Sequence, residues 1–282
     1  IMVHSPTNNT AYGYTELWVN ISIWDDSGFI GGHMIYVDWT IQENLSTKHI
    51  FDEGQHIVVV VAWDILNKTE TVTIVFYVDL TPPEIVVYEP VGNETWIPAE
   101  YCLNITFLAA DNYGLGGINM TIDGMVVYSV YLDGGSYRVT RLCSFGGDGT
   151  YIVDIYTWDR AGNIGHVSVV VHVDSVPPGI DVLSPVNGTT YGGAVPIDVG
   201  VFEENLYVFY ITIDGVTYRN MSFVVSLFSG MHIMVVYAED LAGNFVEEEV
   251  IFFVDADPPE VEVLLGVDSS ILYKPPEKLC LN

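Results

Sequence analysis

The sequence predicts an all-β chain of tandem β-sandwich modules, and three observations carry the prediction. Short apolar runs alternate with clusters of Gly, Asn, Asp and Pro along all 282 residues, without a sustained helical period. A tripartite signature recurs three times, as AWDILNKTETVTIVFYVDLTPP (62–83), TWDRAGNIGHVSVVVHVDSVPP (157–178) and AEDLAGNFVEEEVIFFVDADPP (238–259). Asp64, Asp159 and Asp240 hold the same place in it, 95 and 81 residues apart, a spacing that suits one autonomous sandwich per repeat.

The elements of each repeat follow in order. HSPTNNT (4–10), YEPVGNET (88–95) and LSPVNGT (183–189) open the modules; VDWT (37–40), TIDG (121–124) and TIDG (212–215) mark a central turn. About seven short strands per module describe an immunoglobulin-like sandwich. The expected modules are 1–81, 82–176 and 177–257, with 258–282 the start of a fourth, incomplete one. Module two is enlarged by VYLDGGSYRVTRLCSFGGDGT (130–150). TPP, VPP and DPP predict stiff, extended crossings between modules, because proline fixes its own φ and restricts the residue before it. A semi-rigid rod is expected.

HIVVVVAWD (56–64) breaks the alternation of a half-exposed strand. Aligned by repeat, His56, Val58, Val60 and Ala62 match Tyr151, Val153, Ile155 and Thr157, and His232, Met234, Val236 and Ala238; this is the expected core face. The opposite face of module one, Ile57, Val59, Val61 and Trp63, is apolar as well. Val75 and Tyr77 on the next strand extend that patch. Covering a few hundred Å2 at about 25 cal/mol per Å2 would contribute several kcal/mol, so self-association into a polymer or lattice is the expected cover. An inserted segment, or a register displaced by one residue, would explain the same pattern.

Composition narrows the function. The net charge is -29 with eight Lys plus Arg, yet half the residues are hydrophobic and the mean hydropathy is +0.34. A disordered acidic tail would lack the apolar residues, and a nucleic-acid partner would need a basic surface. No stretch reaches the roughly eighteen apolar residues of a membrane span. IMVHSPTNNT lacks the features of a signal peptide, so a processed or partial chain is expected. Nine glycosylation sequons, at Asn8, Asn20, Asn44, Asn67, Asn93, Asn104, Asn119, Asn187 and Asn220, exceed the roughly two that chance gives and predict an extracellular chain bearing N-linked glycans.

Catalytic motifs are missing: there is no G-x-S-x-G, H-E-x-x-H, C-x-x-C or phosphate-binding glycine loop. The equivalent His56 and His232 suit packing better than ligation. Calcium is the one cofactor with geometry behind it. In such a sandwich the last strand ends opposite its own B-C and F-G loops, so it meets those loops on the next module. Asp79 would then face Asp111 and Asp159, and Asp174 would face Glu203 or Glu204 and Asp240, giving oxygen-rich joints. The competing reading has Asp159 and Asp240 capping their own hairpin turns, with Gly162 and Gly243 at positive φ. Cys102 and Cys143 are expected either to form a disulfide within module two or to stay as buried thiols, and Cys280 to pair beyond the end.

D-x-A-G-N, a strand and V-D-x-x-P-P, as in DRAGN (159–163) with VDSVPP and DLAGN (240–244) with VDADPP, resemble the tandem Ig-like repeats of bacterial and archaeal surface proteins. S-layer proteins, adhesins and the stalks of large secreted enzymes are of this kind. Module one departs from the pattern with DILNK (64–68). The resemblance implies a structural or adhesive role. The expected function is a non-enzymatic, glycosylated cell-surface protein, of archaeal type, that assembles into an extracellular filament or S-layer-like coat. The alternative is the spacer or carbohydrate- or partner-binding region of a larger secreted hydrolase or adhesin, with Trp18, Trp39 and Trp96 as sugar-stacking or packing residues.

Overall fold

The structure is a computed structural model that describes residues 1–99 and 102–261. The fourth module expected over 258–282 and Cys280 lie outside the described residues, apart from 258–261. Strands are the only regular elements among the described residues, and the chain divides into two compact units. The first comprises Ile1–Pro178 with the loops Glu203–Tyr207 and Glu239–Phe245; the second comprises Gly179–Phe202, Val208–Ala238 and the described residues from Val246.

The first unit begins with strands β1 (Met2–Ser5), β2 (Ala11–Tyr12), β3 (Glu16–Ser22), β4 (Ile30–Val37), β5 (Thr40–Gln42), β6 (Ser46–Ile50), β7 (Gly54–Asp64) and β8 (Thr69–Val78). They form two sheets, ordered β1-β3-β6 and β2-β8-β7-β4-β5. Leu17, Val19 and Ile21 of β3 join Ile35, Val58, Val60, Phe76 and Val78 in one buried cluster. The period-two pattern places every one of these on an inward face.

The same unit continues with β9 (Glu84–Glu89), β10 (Glu94–Ile97), β11 (Cys102–Ile122), β12 (Met125–Ser144), β13 (Gly149–Asp159) and β14 (Ile164–Val173). Here two strands of 21 and 20 residues replace the short strands expected. The first half of β11 pairs with β9 (Thr106–Ala110) and its second half with β13 (Leu115–Ile122), which joins both layers into one six-stranded sheet. The register shifts between Ala110 and Leu115, and Gly114 takes φ +111 there, so Asp111 sits at the bend. The extra residues of module two lengthen the β11–β12 hairpin.

The third set is β15 (Gly179–Ser184), β16 (Thr190–Tyr191), β17 (Ala194–Phe202), β18 (Leu206–Ile213), β19 (Val216–Tyr218), β20 (Ser222–Ser226), β21 (Gly230–Asp240) and β22 (Phe245–Val254). Its sheets, β15-β17-β20 and β16-β22-β21-β18-β19, repeat the arrangement of the first set. Pro6, Pro90 and Pro185, which open the three repeats, each follow a cis peptide bond.

The expected core face is buried except at His56 and Tyr151, near the strand starts, which are half-buried. Val58, Val60, Val153, Ile155, Thr157, Met234, Val236 and Ala238 are all fully inaccessible, which fixes the register of β7, β13 and β21. The outer residues Ile57, Val59, Val61 and Trp63 are half-buried rather than open. Val59 lies between Tyr36 and Thr73, Val61 lies between Met34 and Thr71, and Trp63 stands opposite Gly32. The flanking strands cover part of the apolar face from within the module.

The central turns share one device. Asp38, Asp123 and Asp214 adopt φ of +49, +47 and +49, and their Oδ1 atoms accept the backbone N–H of Ile57, Ile152 and Ile233. The next residue also needs positive φ. Gly124 and Gly215 meet that need, whereas module one holds Trp39 there at +65, 74% exposed.

The expected Cys102–Cys143 bridge is not formed; both are free cysteines. Cys102 stands opposite Ser144 and Cys143 opposite Leu103, so the pleat directs the two thiols to opposite faces of the sheet. Cys143 is buried, and burial pushes its thiol up from the ordinary range.

Candidate metal centre

The first unit brings together three carboxylates from three segments. β8 ends at Val78, and the N–H of Asp79 donates to the carbonyl of Tyr12 at 3.0 Å, which places the Asp79 side chain at the end of the first sandwich. Asp111 lies at the bend of β11, where its Oδ1 accepts the N–H groups of Tyr113 (2.8 Å) and Gly114 (2.7 Å). Asp159 closes β13, and its Oδ1 accepts those of Gly162 (2.6 Å) and Asn163 (2.8 Å). One oxygen of each carboxylate lies within 4.8 Å of the others.

Burial makes this arrangement costly. Asp79 is fully inaccessible and Asp159 only 2% exposed. Asp79 Oδ2 and Asp111 Oδ2 are buried and accept no hydrogen bond from the described residues. At an effective dielectric of about 20, two charges at this spacing repel by about 3 kcal/mol. The Asp79 carboxyl is accordingly pushed up to about 6, chiefly by burial, with the N–H of Thr81 opposing and the charges of Asp111, Asp159 and Glu53 adding to the rise.

Asn163 ties this cluster to the chain before it. Its Nδ2 donates both to the carbonyl of Asp79 (2.8 Å) and to Asp159 Oδ2 (2.7 Å). Asn244 repeats the geometry, donating to the carbonyl of Asp174 (2.8 Å) and to Asp240 Oδ2 (2.8 Å). The D-x-A-G-N motif therefore does two things. Its Asp caps the hairpin turn, with Gly162 and Gly243 at φ +94 and +88, and orients the Asn, whose amide grips the strand end of the preceding repeat. Only the cap was legible in the spacing of the motif; the recurrence of Asn at its fifth position, where module one has Lys68, was the available signal for the grip.

Close backbone approach completes the joint. A Cβ at Gly165 would meet the Pro83 carbonyl oxygen at 2.1 Å, and one at Gly13 would meet the Ala161 carbonyl oxygen at 2.8 Å. The rings of Tyr77 and Tyr113 lie 5.3 Å apart across the same contact.

The second expected acidic joint does not form a comparable cluster among the described residues. Asp240 is buried, but Asp174 and Glu203 are only half-buried and Glu204 is exposed. Glu203 Oε1 turns back onto the N–H of Asn205 (3.0 Å), and Asp174 Oδ1 accepts that of Val176 (3.0 Å).

Of the sequon asparagines, eight are exposed and Asn119 is half-buried within β11. Asn8 and Asn187 use Oδ1 to accept the N–H of Val75 and Ile251, which leaves their amide nitrogens outward. Trp96 stacks on His172 with ring centroids 4.2 Å apart, whereas Trp18 and Trp39 stay largely exposed.

His172 also bridges Thr150 Oγ1 (2.9 Å, to Nδ1) and Glu94 Oε1 (2.8 Å, to Nε2), the order of a nucleophile, base and acid. Thr150 is simply the register partner of His172, and Trp96 its parallel-strand partner, on an outer sheet face. These are cross-strand pairs, and no clear catalytic machinery stands among the described residues. Nor is any helix among them long and apolar enough to cross a membrane.

No family model and no curated protein matches the chain. Solved structures do. Fibronectin(III)-like modules of Clostridium thermocellum CbhA are similar at 14% identity and a TM-score of 0.42, over 64% of this chain and 100% of theirs. The ICAM-5 D1–D4 ectodomain fragment is similar at 12% identity and 0.45, over 90% of this chain and 76% of its own. Titin domains I67–I69 are similar at 9% and 0.41, over 89% and 96%. At these identities and TM-scores the likeness carries no argument about what this chain does; the sheet orders of the chain itself are those of an all-β architecture that resembles tandem immunoglobulin-like sandwiches.

Proposed function

We propose that this chain is a non-enzymatic spacer stretch of a larger secreted or surface-attached protein, in which sandwich modules are clamped in series to hold a working domain or binding face at a distance. The observation that carries this reading is the amide of Asn163, which bonds at once to the strand end of the first module and to the turn of the second. A clamp of this kind serves a mechanical purpose. Glycans at the exposed sequons and an acidic surface would keep such a spacer from nonspecific association.

A second reading, lateral assembly into a filament or coat, draws on the apolar outer face of β7, with Ile57, Val59, Val61 and Trp63 half-exposed. Small-angle scattering on the full chain tests the spacer. N163A is expected to broaden the distribution of interatomic distances while the far-UV spectrum of the folded modules stays unchanged. An identical distribution in variant and wild type would remove the clamp, and with it the reading.

A further inference from the structure

We propose that Asp79, Asp111 and Asp159 form a calcium site that locks the first sandwich onto the second. The site follows from how the six carboxylate oxygens are used. Oδ1 of Asp111 and Oδ1 of Asp159 are each held by two backbone N–H groups, which fixes both carboxylates in place. Asp79 Oδ1 accepts the N–H of Thr81. Asp159 Oδ2 accepts the amide of Asn163, whereas Asp79 Oδ2 and Asp111 Oδ2 are buried with no donor among the described residues, and Asp79 is wholly buried. A buried acceptor left unpaired is expensive, and two carboxylates so placed within one cluster need a positive charge.

The side-chain charges acting on Asp79 are those of Asp111, Asp159 and Glu53, all negative, and no Lys or Arg among the described residues counters them. A donor set made only of carboxylate oxygen selects a hard cation over zinc or copper, which favour nitrogen and sulfur. Oxygens within 4.8 Å of one another can all reach a single ion about 2.4 Å from each, a ligand distance calcium uses. Magnesium asks for a tighter, near-octahedral shell at about 2.1 Å. Water would complete the six to eight ligands.

The site is asymmetric along the chain. Asp174 and Glu203 are half-buried and Glu204 is exposed, and they form no comparable cluster among the described residues, so the joint at Asn244 keeps the amide clamp without a metal cluster. One ion per chain is therefore expected from these residues. The proposal does not rest on the spacer reading: N163A can loosen the clamp with the three carboxylates intact, and D79N can remove the ion with the clamp intact.

Isothermal titration of the chelator-treated full chain with calcium chloride tests it, alongside thermal unfolding in calcium and in chelator. The expected result is one site in the wild type, a melting temperature higher in calcium than in chelator, and calcium affinity at least tenfold weaker in D79N and in D111N. The double variant E203Q/D240N should retain the wild-type affinity. D79N keeps the size of the side chain and removes a buried charge, so its melting temperature in chelator should equal or exceed that of the wild type; D111N serves if it does not fold. Terbium luminescence excited through tyrosine gives an independent signal, with Tyr113 in the Asp111 loop. Absence of heat and of any melting shift in the wild type overturns the proposal, as does unchanged affinity in D79N and D111N. Equal affinity for magnesium overturns the assignment to calcium.

Discussion

At the scale of single residues, His232 shows how a small polar group is made to hold a turn. It is 9% exposed, its Nδ1 donates to Asp214 Oδ2 at 2.6 Å, and its Nε2 donates to the Phe228 carbonyl at 2.9 Å. With acceptors at both ring nitrogens, the imidazolium is the form that satisfies the site. Burial alone would lower its titration, but the bonds to Asp214 and to the Phe228 carbonyl outweigh it, and His232 sits above its ordinary 6.5. Burial also opposes ionisation of Asp214, yet the bonds from His232 and Ile233 hold it below its ordinary 3.8. The signs set a window. The histidine contributes stability that is fully present below 6.5 and is lost as pH rises through its elevated folded value; the aspartate contributes stability above 3.8 that is lost as pH falls. The unfolding transition of the second unit should therefore be more stable at pH 5.5 than at pH 8. H232Y, which installs the residue found at the equivalent Tyr151, should abolish the difference; a thermal-melt series against pH measures both.

At the scale of elements, Trp63 and Trp158 are each packed on a pair of glycines across the strand boundary. A Cβ at Gly32 would meet Trp63 Cζ2 at 2.5 Å, and one at Gly117 would meet Trp158 Cζ2 at 2.2 Å and the Val130 carbonyl oxygen at 2.6 Å. G117A is expected to cost about 2 kcal/mol, because neither the indole nor the β12 backbone can retreat without breaking the ladder. Chemical denaturation of the full chain, following indole fluorescence, reads that loss as a lower midpoint at unchanged slope.

This pairing marks the boundary of what the sequence made legible. Alternation of period two placed Val58, Val60, Val153, Ile155, Met234 and Val236 correctly, since one-residue steps alone decide which face is inside. The purpose of Gly31–Gly32 and Gly116–Gly117 depends on which strand lies alongside, which local pattern does not carry. The cysteines failed for the same reason: a register that sets Cys102 against Ser144 sends Cys143 to the other face. Trp39 carries no packing explanation at all, since it occupies a turn position that glycine fills in the other two repeats. The acidic joint was legible because the fold of the module dictates which loops meet the preceding strand end, whereas the difference between a buried Asp79 and a half-buried Asp174 depends on packing around each strand end that local pattern does not carry.

At the scale of the whole molecule, charge and grease set opposing expectations for association. A chain of net charge -29 repels its copies, but over only about 10 Å at 0.1 M salt, so apolar contact can win once ions screen the field. The apolar face of β7 is less available than its sequence suggests: Val59 and Val61 already pack between Tyr36 and Thr73 and between Met34 and Thr71. Lysine at either position can lay its stem along those neighbours and raise its ammonium into water. V59K/V61K is therefore expected to leave the chain folded, and wild type and variant should both sediment as monomers at low and at high salt, as a clamped spacer would. Sedimentation velocity across a concentration series decides it. A wild type that polymerises as salt rises, with a variant that does not, would transfer the role of this face to lateral assembly, because the only change made is charge on a surface that screening had brought into contact.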